Sequence, residues 1–455
     1  MLGGLGSNSA RSAKKIVPTL WVWGGGGNGV LGLGDATARS KPVAIDGGMA
    51  WSSVSAGTSH TMAIKSTGTL WAWGNNARNS RASTSGQLGL GDAVARSSPV
   101  QVGTDTNWSS VSGGGMHTMA IKTTGTLWAW GRNAYLSVGL NFGNGQLGLG
   151  DVVNRSSPVQ VGTDTNWASV SAGAYHTLAI KTTGSLWAWG RGSGQGRLGL
   201  GEATNRSSPV QVGTDTNWAS VSAGIVTLAI KTTGTLWAWG LNTSGQLGLG
   251  DVVTRSSPVQ VGTDTNWSSV NTGSLIGSIP ATHTIAIKTT GTLWAWGVNT
   301  NGQLGLGDVV TRSSPVQVGT DTNWSSVSVS SFTVAIKSTG SLWAWGLNTN
   351  GQLGLGNSPN VGIDPVQVGT DTNWSSVSAG SAHTIAIKTT GSLWAWGNNS
   401  GQLGLGDAVA RSSPVQVGTD TNWSSVSAGS NHTMAIKSTG SLWAWGSNGS
   451  GQLGL

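Results

Sequence analysis

The side chains that could do chemistry in this 455-residue sequence are six histidines and sixteen acids, with no cysteine. The missing thiol excludes a cysteine nucleophile, a thiolate metal site and a disulfide scaffold. His60, His117, His176, His283, His383 and His432 all open one repeated segment, H-T-x-A-I-K. A catalytic or metal-binding histidine should depart from a repeat, whereas these obey it. They read as structural groups, each bonded to a neighbouring backbone group, and two units carry Val226 and Phe332 there instead. The acids are equally regular. Seven stand four residues before an arginine, as in Asp92/Arg96 and Asp407/Arg411, and read as turn ion pairs worth at most ~1 kcal/mol each. Seven more lie in G-T-D-T-N-W, such as Asp105, where Asx turns are the ordinary use. Only Asp46 and Asp364 fall outside both sets. No irregular segment joins two carboxylates, or an acid and a histidine, so there is no pair for acid–base work and no triad. The sequence calls for no enzyme, no metal and no cofactor. The G-x-G-x-x-G pattern occurs at 143–148, 194–199 and 449–454, but a Gly-Leu turn follows rather than a helix, so it is the repeat's own turn and not a dinucleotide site.

The repeat itself sets the elements. L-W-A-W-G recurs from Leu70–Gly74 to Leu442–Gly446, with L-W-V-W-G at Leu20–Gly24, and successive first tryptophans lie 50, 57, 59, 50, 57, 49, 51 and 49 residues apart. A period near that length means a propeller, solenoid or array. One unit reads NWSSVSAG, HTIAIK, TTG, SLWAWG, NNSGQLGLGDAVARSS, PVQV, GTDT. It holds four short β-type runs, A to D, separated by Gly, Asn, Asp and Ser clusters. The expectation is an all-β chain forming a single β-propeller of four-stranded blades. Along strand C, Trp71 and Trp73 face one way and Leu70 and Ala72 the other, so neighbouring blades should interdigitate large on small. All 26 tryptophans occupy repeat positions, and they read as blade-to-blade packing. Counting strands predicts seven complete units over 51–417 and an eighth, composite blade from 423–455 plus strand D at 42–45, with seven blades as the alternative. Residues 1–19 read as an N-terminal arm and 20–455 as the propeller. Leu20–Gly24 is then a spare strand C that duplicates Leu442–Gly446. It could pair outside the ring, displace its copy or contact another subunit.

The H-T-x-A-I-K, L-W-A-W-G and G-Q-L-G-L-G-D segments, in this order and nearly fixed spacing from Leu20 to Leu455, resemble the repeat family named after the regulator of chromosome condensation. The resemblance implies a propeller, usually seven-bladed and often closed by an N-terminal strand. The family's founding member is a nucleotide-exchange factor for a small GTPase and docks on chromatin. No residue here carries that activity over. The near-identity of the units is similar to repeat proteins of bacteria and large phages.

Function should lie where the units differ. The B–C and D–A turns barely vary, and in an up-and-down blade they share one face. The A–B and C–D turns share the other and hold all the variation, including ARNSRASTS, AYLSVGLNF and SLIGSIPAT. Such loops on a uniform scaffold are where binding specificity resides. Net charge is +8, from 24 Lys and Arg against 16 acids. The surplus cations are Arg11, Lys14, Lys15 and five arginines in the C–D turns of blades one to three: Arg78, Arg81, Arg132, Arg191 and Arg197. With Tyr135 and Phe142 they form the candidate partner-binding site, since Arg with aromatic rings is the composition of hot spots and of anion recognition. The expected function is non-enzymatic recognition or structural scaffolding, with a protein or glycan partner, in the cytoplasm or assembled on a phage particle or cell surface. The alternatives are a lectin-like propeller with Trp-lined pockets, and acidic-ligand or nucleic-acid binding through the basic sector, which is the less favoured of the two. The sequence shows no signal peptide and no transmembrane segment.

Overall fold

A computed structural model describes residues 20–24, 39–45, 51–57, 60–76, 85–137, 140–192, 194–224, 226–272, 283–356, 361–428, 432–439 and 442–446. Each repeat folds as its local chemistry dictates. In blade two, strand A is Trp108–Gly113, B is His117–Lys122, C is Leu127–Gly131 and D is Arg155–Gln160. The β-branched and aromatic runs suit a pleated, buried surface. The T-T-G link turns the chain between B and C: Gly125 has φ 74° and donates to the Lys122 carbonyl at 2.8 Å. Seven sheets of this antiparallel pattern run from blade one (51–101) to blade seven (374–416), and an eighth lies beyond them. The fold is an eight-bladed all-β propeller, and eight rather than seven is the blade count.

Strand A is innermost. Successive A strands touch at six of the seven junctions from blade one to blade eight, and at all seven strand A packs on strand B of the blade before it. Five of these junctions are tied by a serine hydroxyl that accepts a backbone amide of the next blade, as Ser55 Oγ does from Gly113 N at 2.9 Å and Ser112 Oγ from Ala172 N at 3.1 Å. Strand B is buried along its whole length, as in His117–Lys122, while strand A half-exposes the residues after its tryptophan.

Large packs on small at the junctions, as the alternation in strand C requires. Between blades one and two, Met62, Ile64, Leu70 and Ala72 meet Trp108 and Trp130. Trp108 stands edge-on to Trp128 and Trp130, with ring centroids 6.0 and 6.1 Å apart. The same cluster recurs at all seven junctions from blade one to blade eight. Trp130, like its equivalents, is fully buried. Withdrawing roughly 200 Å² per indole contributes on the order of 5 kcal/mol as an upper bound.

The eighth sheet corrects the strand count made from the sequence. It has five strands, in the order Arg39–Ile45, Leu20–Gly24, Leu442–Gly446, His432–Lys437, Trp423–Ala428. The spare strand is neither outside the ring nor a replacement for its copy. It lies between strand D and the copy, antiparallel to the first and parallel to the second, with Trp21 opposite Trp443 and Val22 opposite Ala444. Its pairing with Arg39–Ile45 repeats the ordinary C–D register: Gly24 faces Arg39 as Gly74 faces Arg96. A C–D hairpin closes only a short loop, so it forms locally at low entropic cost. Strand D therefore stays with its sequence neighbour instead of joining the distant copy. The arm at 1–19 lies outside the described residues.

Candidate functional site: the face of the A–B and C–D turns

The C–D turn is built around a buried asparagine whose role the sequence did not announce. In blade one, Asn76 Oδ1 accepts from Leu88 N at 2.9 Å, and Asn76 Nδ2 donates to the Asp92 carbonyl at 3.0 Å and to Asp92 Oδ1 at 3.1 Å. Asp92 in turn binds Val94 N at 2.9 Å and the Arg96 guanidinium. Six of the seven expected turn ion pairs are present among the described residues, including Glu202–Arg206 and Asp407–Arg411; Asp35 lies outside them. The Val253 amide first, then the Arg255 guanidinium, hold the Asp251 carboxyl below its usual range.

Two readings of repeated side chains need correction. The G-T-D-T aspartates serve as counter-ions on the opposite face rather than merely capping their own turns. Asp105 Oδ2 accepts from Lys122 Nζ at 2.9 Å, and that ammonium lies over the Trp128 and Trp108 rings at 4.0 and 4.8 Å. Strand B ends there beside the D–A turn, so a mostly buried lysine needs this charge. Four of the histidines, His60, His117, His283 and His383, bond to a side chain of the next blade rather than to backbone. His60 Nε2 is 2.9 Å from Thr118 Oγ1, and that hydroxyl donates to the Gln87 carbonyl at 2.9 Å. Its only hydrogen being spent, the hydroxyl must accept, so His60 Nε2 carries the proton. Trp130 Nε1 donates to the same carbonyl at 3.0 Å. His117 and His283 repeat the relay on Thr177 and Thr333, and His383 on Thr433. Burial lowers the pKa of His60 to about 4 and of His117 and His283 to about 3. These imidazoles are neutral members of the junctions. The described residues contain no group of three His, Cys, Asp or Glu that could hold a metal.

The predicted site residues do not form one uniform patch. Arg78 and Arg81 lie outside the described residues. The blade-two insertion forms a hairpin, Ala134–Ser137 with Leu140–Gly143, that places Tyr135 directly opposite Phe142 in the backbone register. Arg132 is buried at the base of this hairpin: its Nε donates to the Ala134 carbonyl at 2.6 Å and its Nη1 approaches Met116 Sδ at 3.2 Å. It braces the hairpin against the A–B turn. Arg191 and Arg197 come together in blade three. The Arg191 guanidinium lies 5.7 Å from the centroid of Tyr175, a residue the sequence reading passed over. Tyr175 was legible as a singular side chain, since no other unit places an aromatic ring before the histidine. Arg197 donates to Gln195 Oε1, and burial, then Arg191, lowers its pKa.

Fold and site together define a tandem-repeat propeller whose singular side chains sit on one face. The sequence matches the RCC1-like domain over residues 16–279 and the regulator of chromosome condensation (RCC1) repeat over 290–336, 339–387 and 390–436. The chain belongs to the RCC1 repeat family. It is 38% identical to the ultraviolet-B receptor UVR8 of Arabidopsis thaliana over 196 residues, 42% of this chain and 41% of the receptor. It is 31% identical to the mitochondrial RCC1 domain-containing protein RUG3 of the same plant over 218 residues, 46% of this chain and 45% of that one. The chain thus spans less than half the length of these curated relatives. Among solved structures, human WBSCR16 superposes with a TM-score of 0.59 at 19% identity, covering 92% of this chain and 98% of that one. Prp20p of Saccharomyces cerevisiae gives 0.58 at 19%, covering 82% and 92%. At that identity both speak for the fold alone.

Proposed function

We propose that this propeller is a non-enzymatic recognition module that binds a protein partner through the A–B and C–D turns of blades one to three. The observation that carries the reading is the joining of Arg191 to Tyr175 across two turns of one face, with an inserted hairpin in the C–D turn of the preceding blade. Arginine and tyrosine are the residues enriched at interface hot spots. A protein of the same fold agrees: Prp20p of Saccharomyces cerevisiae binds Gsp1p and histones. A lectin reading is less well supported, because the half-exposed strand C tryptophans have their faces taken by lysine, as Trp128 has Lys122 Nζ 4.0 Å from its centroid. The near-identity of the units fits a virion or cell-surface setting.

The test is binding to arrayed proteins, glycans and nucleic acids at low and high salt, by wild type and by a variant with Arg78, Arg81, Arg132, Arg191 and Arg197 all changed to Ser. Protein binding lost in the variant supports the proposal. Glycan binding that survives in the variant would refute it. Binding dominated by nucleic acid, and falling steeply with salt as counterion release requires, would refute it too.

A further inference from the structure

Blade three departs from the repeat at one place, and the departures converge. The buried asparagine that organises the C–D turn in blades one and two is Gly192 here, so its side-chain bonds are lost, while Gly192 N keeps the bond to Asn205 Oδ1, at 3.1 Å, that Asn133 N makes to Asn154 Oδ1. The residue before it is Arg191. The glutamine of G-Q-L-G is Arg197. In blades four to seven that glutamine's Oε1 accepts an amide of its own turn, as Gln246 does from Ser244 N at 2.7 Å. A guanidinium has no acceptor and cannot do this. The Arg197 backbone keeps the repeat's task, its carbonyl accepting from Trp239 Nε1 at 2.9 Å and Thr227 Oγ1 at 3.2 Å. The side chain no longer caps the turn through an acceptor; one Nη donates to Gln195 Oε1, and Nε is buried without a hydrogen-bond partner.

Polar satisfaction is also incomplete at this junction. Arg197 Nε is buried without a hydrogen-bond partner, and so is His176 Nε2. Four of the other histidines donate through that nitrogen to a threonine. His176 is 2% exposed, and its pKa is lowered to about 3 by burial and then by the charge of Arg197. Arg191 likewise disfavours the charge on Arg197. Two guanidiniums, an aromatic ring and an orphaned imidazole nitrogen therefore share one corner of the variable face. No acid of the chain forms a salt bridge with Arg197 among the described residues. Buried orphans and repelling cations are both relieved by one oxyanion.

We infer that Tyr175, Arg191 and Arg197 form a peptide oxyanion site, taking a carboxylate or a phosphate ester of the partner protein. The inference rests on the variable face being the binding face, and names which junction of it reads which chemistry. The guanidiniums supply the charge and fork geometry for the oxyanion, and Tyr175 holds Arg191 by stacking.

The repeat supplies its own test variants, each a residue another blade already carries: Arg197→Gln, Arg191→Asn and Tyr175→Ala. A fluorescent hexaglutamate peptide, a phosphoserine peptide and a glutamine peptide of equal length serve as probes in anisotropy titrations on the full chain. Wild type should bind an anionic probe and not the glutamine peptide. Arg197→Gln and Arg191→Asn should each weaken it by at least about tenfold, the scale of one charge-assisted hydrogen bond, and Tyr175→Ala by less. The preferred anionic probe tells carboxylate from phosphate. Unchanged affinity in both arginine variants, or no anionic binding by wild type, overturns the site. A second variant keeps the two readings apart: residues 134–144 replaced by Thr-Asn, the turn length of blade five. If binding is lost there and kept in the arginine variants, the site fails while the binding face stands.

Discussion

Thr177→Val isolates the proton relay between blades. The change keeps the shape of the side chain and removes one hydroxyl. That hydroxyl lies 3.1 Å from His117 Nε2 and donates to the Gln146 carbonyl at 2.9 Å. The carbonyl keeps Trp189 Nε1, at 3.0 Å, so it is not orphaned. His117 is, because its Nδ1 has no hydrogen-bond partner either. The expected cost is ~1 kcal/mol for the lost Thr177–Gln146 bond plus ~1–3 kcal/mol for a desolvated, unpaired N–H. Blade four supplies the control. Val226 stands at the histidine position there, and Thr284 of blade five donates to the Gln246 carbonyl at 3.1 Å with Trp296 Nε1 on the same oxygen at 3.0 Å. Thr284→Val therefore loses one bond and orphans no imidazole, costing ~1 kcal/mol. Urea unfolding followed by tryptophan fluorescence, with amide exchange at the two junctions to localise the effect, measures the difference. Thr177→Val should be worse by roughly 1–3 kcal/mol. Adding His117→Phe, the side chain blade six carries as buried Phe332, should recover most of that excess. Equal effects of the two threonine changes would show that His117 does not donate to Thr177.

The same histidines set a pH dependence. Their folded pKa values, about 4 for His60 and about 3 for His117, His176 and His283, lie below the unfolded value of about 6.5. The unfolded chain thus binds more protons between those limits, and stability falls as pH drops below 6.5. The slope approaches about 1.4 kcal/mol per pH unit per histidine, so urea midpoints should decline steeply from pH 6 to 4; a flat profile would contradict neutral burial. Lys288→Met removes the Asp264 pair at 2.9 Å and the ammonium 3.8 Å from the Trp294 centroid. The expected loss is about 1–2 kcal/mol by chemical denaturation, with the ion-pair share shrinking in high salt. Gly248 and Gly262 both have positive φ, but a Cβ at Gly248 would meet Trp296 Nε1 at 2.8 Å while one at Gly262 meets nothing within 4 Å. Gly262→Ala should cost only the left-handed backbone term of about 1–2 kcal/mol, and Gly248→Ala clearly more; equal melting temperatures would refute the packing argument.

The propeller, the strand alternation and the shared face of the variable turns were all readable, because a period near fifty residues and one apolar rhythm are repeated until noise averages away. The partners of repeated polar groups were not. His60 meets a threonine 58 residues on, and Asp105 meets a lysine 17 residues on, across a hairpin; such pairings depend on how strands lie side by side, which spacing along the chain does not display. Asn76 was overlooked for a different reason. A turn rich in Asn and Gly suggests solvent, whereas this asparagine is fully buried. Basic residues could be assigned to one face but not sorted on it. Arg132 and Arg191 occupy the same repeat position, yet the first is buried under a hairpin and the second stacks on Tyr175, and the neighbouring turn decides which.

The doubled strand in the eighth sheet has a consequence for synthesis on the ribosome. Leu20–Gly24 pairs with Leu442–Gly446, so the first described strand C waits until the last described one has been made. Contacts of such sequence separation form slowly, and chains are folded from the N-terminal end as they emerge. The hairpin of 20–24 with 39–45 can form at once, but the free edge of Leu20–Gly24 stays open, and an open edge invites a strand from another chain. Seven near-identical copies of strand C emerge before the correct one. On a crowded polysome the same hairpin could be completed by a neighbour's repeat, and closure within one chain is then a matter of kinetic precedence rather than of pairing chemistry.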